Sequence, residues 1–306
     1  MTIHRRSLVV AAVAALVAAS STAAQQTLPS KLRVLATFSI LADLVRNVGA
    51  ERVEVATLVG PNSDAHVYAP APADVKKVAD AQVVFSNGLG YEGWMSRLVK
   101  ASGTKAPMVI ATKGITERQM KSGHDHGHSR RASDPHAWQS VANAKIYVVN
   151  IRDALIAADP AGKSFYEANA TAYLGKLDAL EQEVQAAVAA IPAGRRKVIS
   201  THDAFGYFQQ AYGVEFIAPQ GVSTDSEASA RDVARIITQV KKQKIPAVFL
   251  ENITDARLME RIAHESGARI GGKLYSDALT EERGEAPTYI ELMRHNVKTL
   301  SAALMS

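Results

Sequence analysis

Chemistry in this chain has to come from imidazole and carboxylate groups. The 306 residues include nine histidines and no cysteine. Disulfides, thiolate nucleophiles and cysteine-based metal sites are therefore excluded. Four segments each place one good metal ligand beside a strand end or in a loop. They are His66-Val67-Tyr68-Ala69-Pro70, Asp134-Pro135-His136-Ala137-Trp138, Ser200-Thr201-His202-Asp203 and Leu274-Tyr275-Ser276-Asp277. Three imidazoles and one carboxylate make a four-coordinate set that suits zinc. The candidates stand roughly 70 residues apart, unlike the closely spaced ligands of a zinc finger. Such spacing is what a site between two domains needs.

Spacing alone leaves plainer alternatives open. A histidine at a strand end caps a helix or bonds a carbonyl as readily as it holds a metal. Asp277 reads equally as a helix N-cap. Local context favours the metal reading. The fixed φ of Pro135 aims His136, and Asp134 is placed to bond the second nitrogen of that imidazole and fix its tautomer. Asp203 is placed to do the same for His202, or to cap the following helix. Glu251-Asn252 follows a strand and falls near the same cleft, with a purely structural hydrogen-bonding role as an equal reading. A polar segment, residues 121–131, carries His124, His126 and His128. These read either as auxiliary zinc capture or as a solvated loop without function. Trp94 and Trp138 read as packing residues.

The elements that must position these groups follow from apolar periodicity. Residues 31–40 read as a strand running into a helix, and 53–59 as a strand stopped by Gly60-Pro61-Asn62, so that His66 lies just past a strand end. A helix over 73–79, a strand over 81–87, a helix over 91–102 and a strand over 107–111 complete a first α/β unit. A helix over 141–157 follows the polar loop. Residues 164–190 then carry one long helical pattern, roughly 40 Å at about 1.5 Å per residue. After it the alternation restarts, with strands at 197–200, 214–218, 247–250 and 268–271 and helices at 204–212, 228–242, 255–266 and 288–304. The predicted fold class is α/β: two lobes with mostly parallel sheets, residues 28–160 and 195–306, joined by a rigid linking helix over 161–191. No residue-level repeat relates the halves.

Composition agrees with a globular protein, with 47% hydrophobic and 21% charged residues. The net charge of +5 is dispersed and gives no case for nucleic acid. The first 24 residues read as a cleaved export signal. Arg5 and Arg6 form its basic start, an apolar run too short to span a bilayer follows, and small residues mark its end. Export with no cysteine to carry a lipid predicts a periplasmic protein without a lipid anchor.

The quoted segments, together with Gln220-Gly221-Val222-Ser223-Thr224-Asp225-Ser226-Glu227-Ala228 and Gly271-Gly272-Lys273-Leu274-Tyr275-Ser276-Asp277, are similar to a known family. The chain resembles the cluster A-I (cluster 9) solute-binding proteins of zinc and manganese ABC transporters, the TroA/ZnuA type, over nearly all of its mature length. The resemblance implies a metal site in the interlobe cleft, with His66, His136, His202 and Asp277 as ligands. It implies no enzymatic activity. The implied partners are a transmembrane ABC-transporter permease, the metal ion and a metallochaperone, and the protein is expected to be a monomer. Manganese-type members tend to carry glutamate at the position of His202. A histidine there favours Zn²⁺ over the harder Mn²⁺, though Mn²⁺ remains an alternative cargo. The 121–131 segment resembles a much shortened histidine-rich loop of zinc-specific members. A zinc hydrolase is the alternative from another class, but it needs an open coordination position for water, which four protein ligands would close. Release of the metal is expected to require movement of a lobe or of the loop near Asp277.

Overall fold

The structure, a computed structural model, describes residues 31–119 and 133–305. The expected export signal and His124, His126 and His128 lie outside the described residues.

The first lobe alternates strand and helix: β1 (Leu32–Phe38), α1 (Ser39–Gly49), β2 (Val53–Val59), α2 (Pro72–Asp80), β3 (Val83–Ser86), α3 (Met95–Ser102) and β4 (Met108–Ile110). Then come α4 (Val141–Ala158) and the long α5 (Lys163–Ala190). The second lobe holds β5 (Lys197–Ile199), α6 (Gly206–Tyr212), β6 (Glu215–Ile217), α7 (Ala230–Gln243), β7 (Ala247–Glu251), α8 (Arg257–Ser266), β8 (Arg269–Leu274) and α9 (Tyr289–Met305). The sheets run β2-β1-β3-β4 and β6-β5-β7-β8, and every strand pairing is parallel. The two halves therefore repeat one strand order although their residues show no repeat. In such open sheets the carboxyl ends of the strands are where ligands bind.

The sequence pattern explains the central helix. Tyr166, Ala170, Tyr173, Leu177, Leu180, Val184 and Val188 are its buried residues, a single stripe at three- and four-residue spacing. The stripe belongs to one apolar core running from the first sheet through α4 and α5 to α6 and α9. Arg52 and Tyr166 both bond Asp159 near the start of α5, and Arg294 pairs with Glu183 in its second half. A second, smaller core lies between α7, α8 and the other face of the second sheet, built on Val233, Ile236, Val240, Met259 and Ile262.

Differences from the sequence reading fall where turns compete with regular structure. The helix expected from residue 91 begins at Met95. Gly88, Leu89 and Gly90 adopt positive φ, and the Glu92 carboxylate accepts the Asn87 and Gly88 N–H groups, closing a turn. The helix expected from residue 204 begins at Gly206, because residues 200–205 form the loop that carries His202. Gly271 was expected to end a strand. Instead β8 continues to Leu274 through a register shift opposite Val248 and Phe249, with Gly272 at φ +132°, a conformation open to glycine.

Candidate metal centre

Each candidate ligand follows the carboxyl end of a strand or lies between the lobes. His66 sits in the loop after β2, His202 in the loop after β5 and Asp277 in the loop after β8, while His136 immediately precedes a short 3₁₀ turn leading to α4. The fold brings all four together: one ligand atom from each lies within 4.8 Å of the others. His66 Nε2 is 3.2 Å from His136 Nε2. Asp277 Oδ2 stands 3.1 Å from His66 Nε2, 3.6 Å from His136 Nε2 and 3.3 Å from His202 Nε2. A tetrahedron with metal–ligand bonds of about 2.0–2.1 Å has edges of about 3.3–3.4 Å, and these four separations lie close to that length, within a cluster whose ligand atoms span at most 4.8 Å.

The donor chemistry fits a cation. His202 Nε2 and both Asp277 carboxylate oxygens are buried without a hydrogen-bond partner, so their close approaches are not aligned N–H···O bonds. Buried polar atoms are rarely left unpaired, and lone pairs converging on one point are what an ion needs. Outer groups fix which nitrogen faces inward. His136 Nδ1 is 2.8 Å from Asp134 Oδ1, and His202 Nδ1 is 2.5 Å from Glu251 Oε2. With each Nδ1–H donated to a carboxylate, the Nε2 lone pair points into the site.

Both carboxylates are themselves held. Asp134 accepts the His136 N–H and the Arg118 guanidinium, the latter at 2.8 Å. Glu251 accepts the Thr201 and His202 N–H groups. The sequence reading placed Asp203 behind His202, but Glu251 takes that position. Asp203 instead donates its backbone N–H to the Gly221 carbonyl. The sequence marks Glu251 as a strand-end residue near the cleft but not as the partner of His202, because that bond depends on β7 lying beside β5.

His66 is held differently. Among the described residues no carboxylate stands behind its ring; Tyr91 packs edge-on against it with ring centroids 4.9 Å apart. Its backbone N–H donates to Asp64 Oδ1 at 2.8 Å. The Asp277 loop is pinned from several sides. The Ser276 carbonyl accepts both Trp138 Nε1 and Gln139 Nε2, and the Asn296 side chain bonds the Tyr275 N–H and carbonyl. Trp138 is thus a packing residue with a structural hydrogen bond.

Electrostatics follow from burial and proximity. Burial acts to lower the His136 pKa, but the charges of Asp277 and Asp134 outweigh it and hold the imidazole up at about 9. Burial likewise opposes a charged His202, yet Glu251 and Asp277 keep its pKa well above the ordinary histidine range. For Asp277 burial favours the neutral acid, and the neighbouring imidazoles His136 and His202 overcome it, keeping the carboxyl well below the usual carboxylate range.

Residues 34–303 match the family described as zinc-uptake complex component A, periplasmic. The chain belongs to this family. It is a family of ABC-transporter substrate-binding proteins, not of enzymes. Among curated relatives, the manganese-binding lipoprotein MntA of Halalkalibacterium halodurans is 35% identical over 273 residues, covering 89% of this chain and 88% of that protein. The iron-binding protein YfeA of Yersinia pestis is 32% identical, covering 89% and 86%. Among solved structures, the periplasmic zinc-binding protein TroA of Treponema pallidum superposes with a TM-score of 0.84 at 30% identity, covering 90% of this chain and 99% of that one. A manganese-bound periplasmic metal-binding protein of Candidatus Liberibacter asiaticus superposes with a TM-score of 0.78 at 28% identity, covering 90% of this chain and all of that one. The two-lobe α/β fold is that of the family. Several relatives are lipoproteins by name, whereas this chain has no cysteine. Among the described residues no helix is long and apolar enough to cross a membrane.

Proposed function

We propose that the protein binds one Zn²⁺ through His66, His136, His202 and Asp277 in the periplasm and hands it to the permease of an ABC transporter. The observation that carries this reading is the convergence of three imidazole Nε2 atoms and one buried carboxylate within 4.8 Å of one another. Zinc is favoured over manganese because three nitrogen donors and one carboxylate suit the softer ion, while Mn²⁺ prefers more oxygen. The relatives' names divide between manganese, iron and zinc, so it is the donor set of this chain that supports zinc. The mature chain is proposed to start after residue 24, unlipidated and monomeric, with lobes 28–160 and 195–306 and a linker over 161–191. Four protein ligands leave no position for the water of a hydrolase.

Native mass spectrometry of the metal-stripped mature protein, titrated with zinc in excess manganese, tests the reading. One zinc retained per chain, and lost in His202→Ala, is the expected result. Preferential retention of manganese would transfer the transport role to that ion, and retention of neither would remove the four-ligand site.

A further inference from the structure

Of the four candidate ligands, His66 is the one without a carboxylate behind its ring among the described residues, and it belongs to a first-lobe loop that bonds to the second lobe. Asn62 turns the loop with φ +51°. Its N–H donates to the Leu279 carbonyl at 2.8 Å, and its side-chain oxygen accepts from Asn252 at 3.2 Å. Two residues on, Asp64 uses both oxygens. Oδ1 accepts the His66 N–H at 2.8 Å, and Oδ2 accepts the Thr224 hydroxyl at 2.5 Å. The same carboxylate thus fixes the backbone of a metal-ligand residue in the first lobe and takes hold of the second lobe.

The two ends of this connection differ in firmness. On the first-lobe side, Ala65 is buried and its carbonyl accepts Trp94 Nε1 at 2.9 Å. On the second-lobe side, residues 220–232 contain no buried residue, and Thr224 lies in the stretch that precedes α7. A segment with few buried contacts opens at low free-energy cost. The Asp277 loop, by contrast, is bonded from both lobes and buried. The sequence reading gave the Asp277 loop as one candidate for the moving part at release, and the hydrogen-bonding pattern favours the other side of the cleft.

Resting on the zinc-binding reading above, we infer that Asp64 is a positioning residue for His66, and that its bond to Thr224 is a latch whose opening governs the rate of metal release. While the bond is made, Asp64 is fixed at both oxygens and His66 is held over the ion. When the stretch 222–229, between Gly221 and α7, swings out, Oδ2 loses its partner, the His66 backbone loses its fixed acceptor, and the least supported ligand is the first to leave. No change in the ligands themselves is needed.

The test is zinc release from the loaded mature protein into excess chelator, followed by stopped flow, for the wild type, Thr224→Val and Thr224→Ser. Thr224→Val keeps the shape and removes the donor, and is expected to release zinc roughly five- to tenfold faster, as loss of about 1 kcal/mol for one part-buried hydrogen bond implies. Stoichiometry should stay at one zinc per chain. Thr224→Ser restores a hydroxyl and should release at close to the wild-type rate, a rescue that loss of packing alone would not give. A Thr224→Val rate equal to wild type, in protein that holds one zinc, overturns the latch and leaves the binding site standing. Equal acceleration in Thr224→Val and Thr224→Ser also overturns it. A wild-type chain that holds no zinc overturns the functional reading and the latch with it.

Discussion

His136 and His202 stand on buried carboxylates, whereas His66 stands on an aromatic ring and a backbone hydrogen bond. The first two are fully buried, and each is bonded to a buried carboxylate that is itself held: Arg118–Asp134–His136 in one lobe and Glu251–His202 in the other. The third sits on a loop tied across the cleft to a segment with no buried residue. The difference separates a fixed floor, which sets how basic and how well oriented the donors are, from a side able to open. A carrier needs both, because a floor alone would bind without releasing.

The largest expected effect is that of pH, and it acts on the floor. His136 is held up at about 9, mainly by the charges of Asp277 and Asp134 against the opposing pull of burial, so below that pH a metal must displace a proton. Apparent zinc affinity should therefore rise with pH, about tenfold per unit for each displaced proton, until about pH 9. His202, also raised, makes the slope steeper. Stability of the metal-free protein should move the other way. A folded-state pKa above the unfolded value of 6.5 gives stability that is fully present below 6.5 and lost as pH rises through about 9. For His136 alone this is on the order of 3 kcal/mol. Calorimetric melting of metal-free protein at pH 6 and pH 9 checks it. A metal-free melting temperature that rises between those pH values would contradict this charge balance.

The fold was readable because the elements are long and strongly patterned. The stripe from Tyr166 to Val188 marks α5 without tertiary help, and Val53–Val59 alternates and stops at Gly60-Pro61. The four candidate ligands that converge were readable from residue type and local motif, and so was Asp134, two positions from His136. What escaped depends on pairing that no local window contains. Glu251 reaches His202 across 49 positions because β5 and β7 are neighbours, and Thr224 reaches Asp64 across 160. Asp203 was a reasonable alternative by adjacency, but its side chain belongs to a loop whose backbone is bonded to Gly221 rather than to a strand facing the imidazole. Local sequence specifies the donor, and topology selects what stands behind it.

Removing that backing should weaken the site without emptying it. Glu251→Gln offers His202 Nδ1 a neutral acceptor, and Asp134→Asn does the same for His136. Loss of such an outer carboxylate is expected to lower zinc affinity by roughly 10–100-fold. Competition against a chelating dye would measure it. If His66 belongs to the opening side, the effect of Thr224→Val on release should be the same in either variant as in the wild type, because the two act at separate places. A Thr224→Val effect that disappears in those backgrounds would erase the distinction between floor and latch.

The smallest effect lies one bond further out, at Arg118. Its guanidinium neutralises Asp134, which is fully buried, and it rests over Gly206, where a Cβ would fall on the guanidinium itself. Arg118→Met should leave the buried carboxylate without its cation and without the bond that fixes its place against the His136 Nδ1–H. A several-fold loss of zinc affinity is expected, less than for Asp134→Asn, because the His136 N–H and Nδ1–H still bond Asp134. Arg118→Lys should recover part of it, since a single ammonium supplies the charge without the planar fork. Gly206→Ala should mimic the loss by displacing the guanidinium while leaving every charge in the chain unchanged. Agreement between Gly206→Ala and Arg118→Met would show that the position of the guanidinium, and not net charge near the cleft, is what reaches the metal through Asp134. A Gly206→Ala protein with wild-type affinity would place Arg118 outside the chain of bonds that sets the floor.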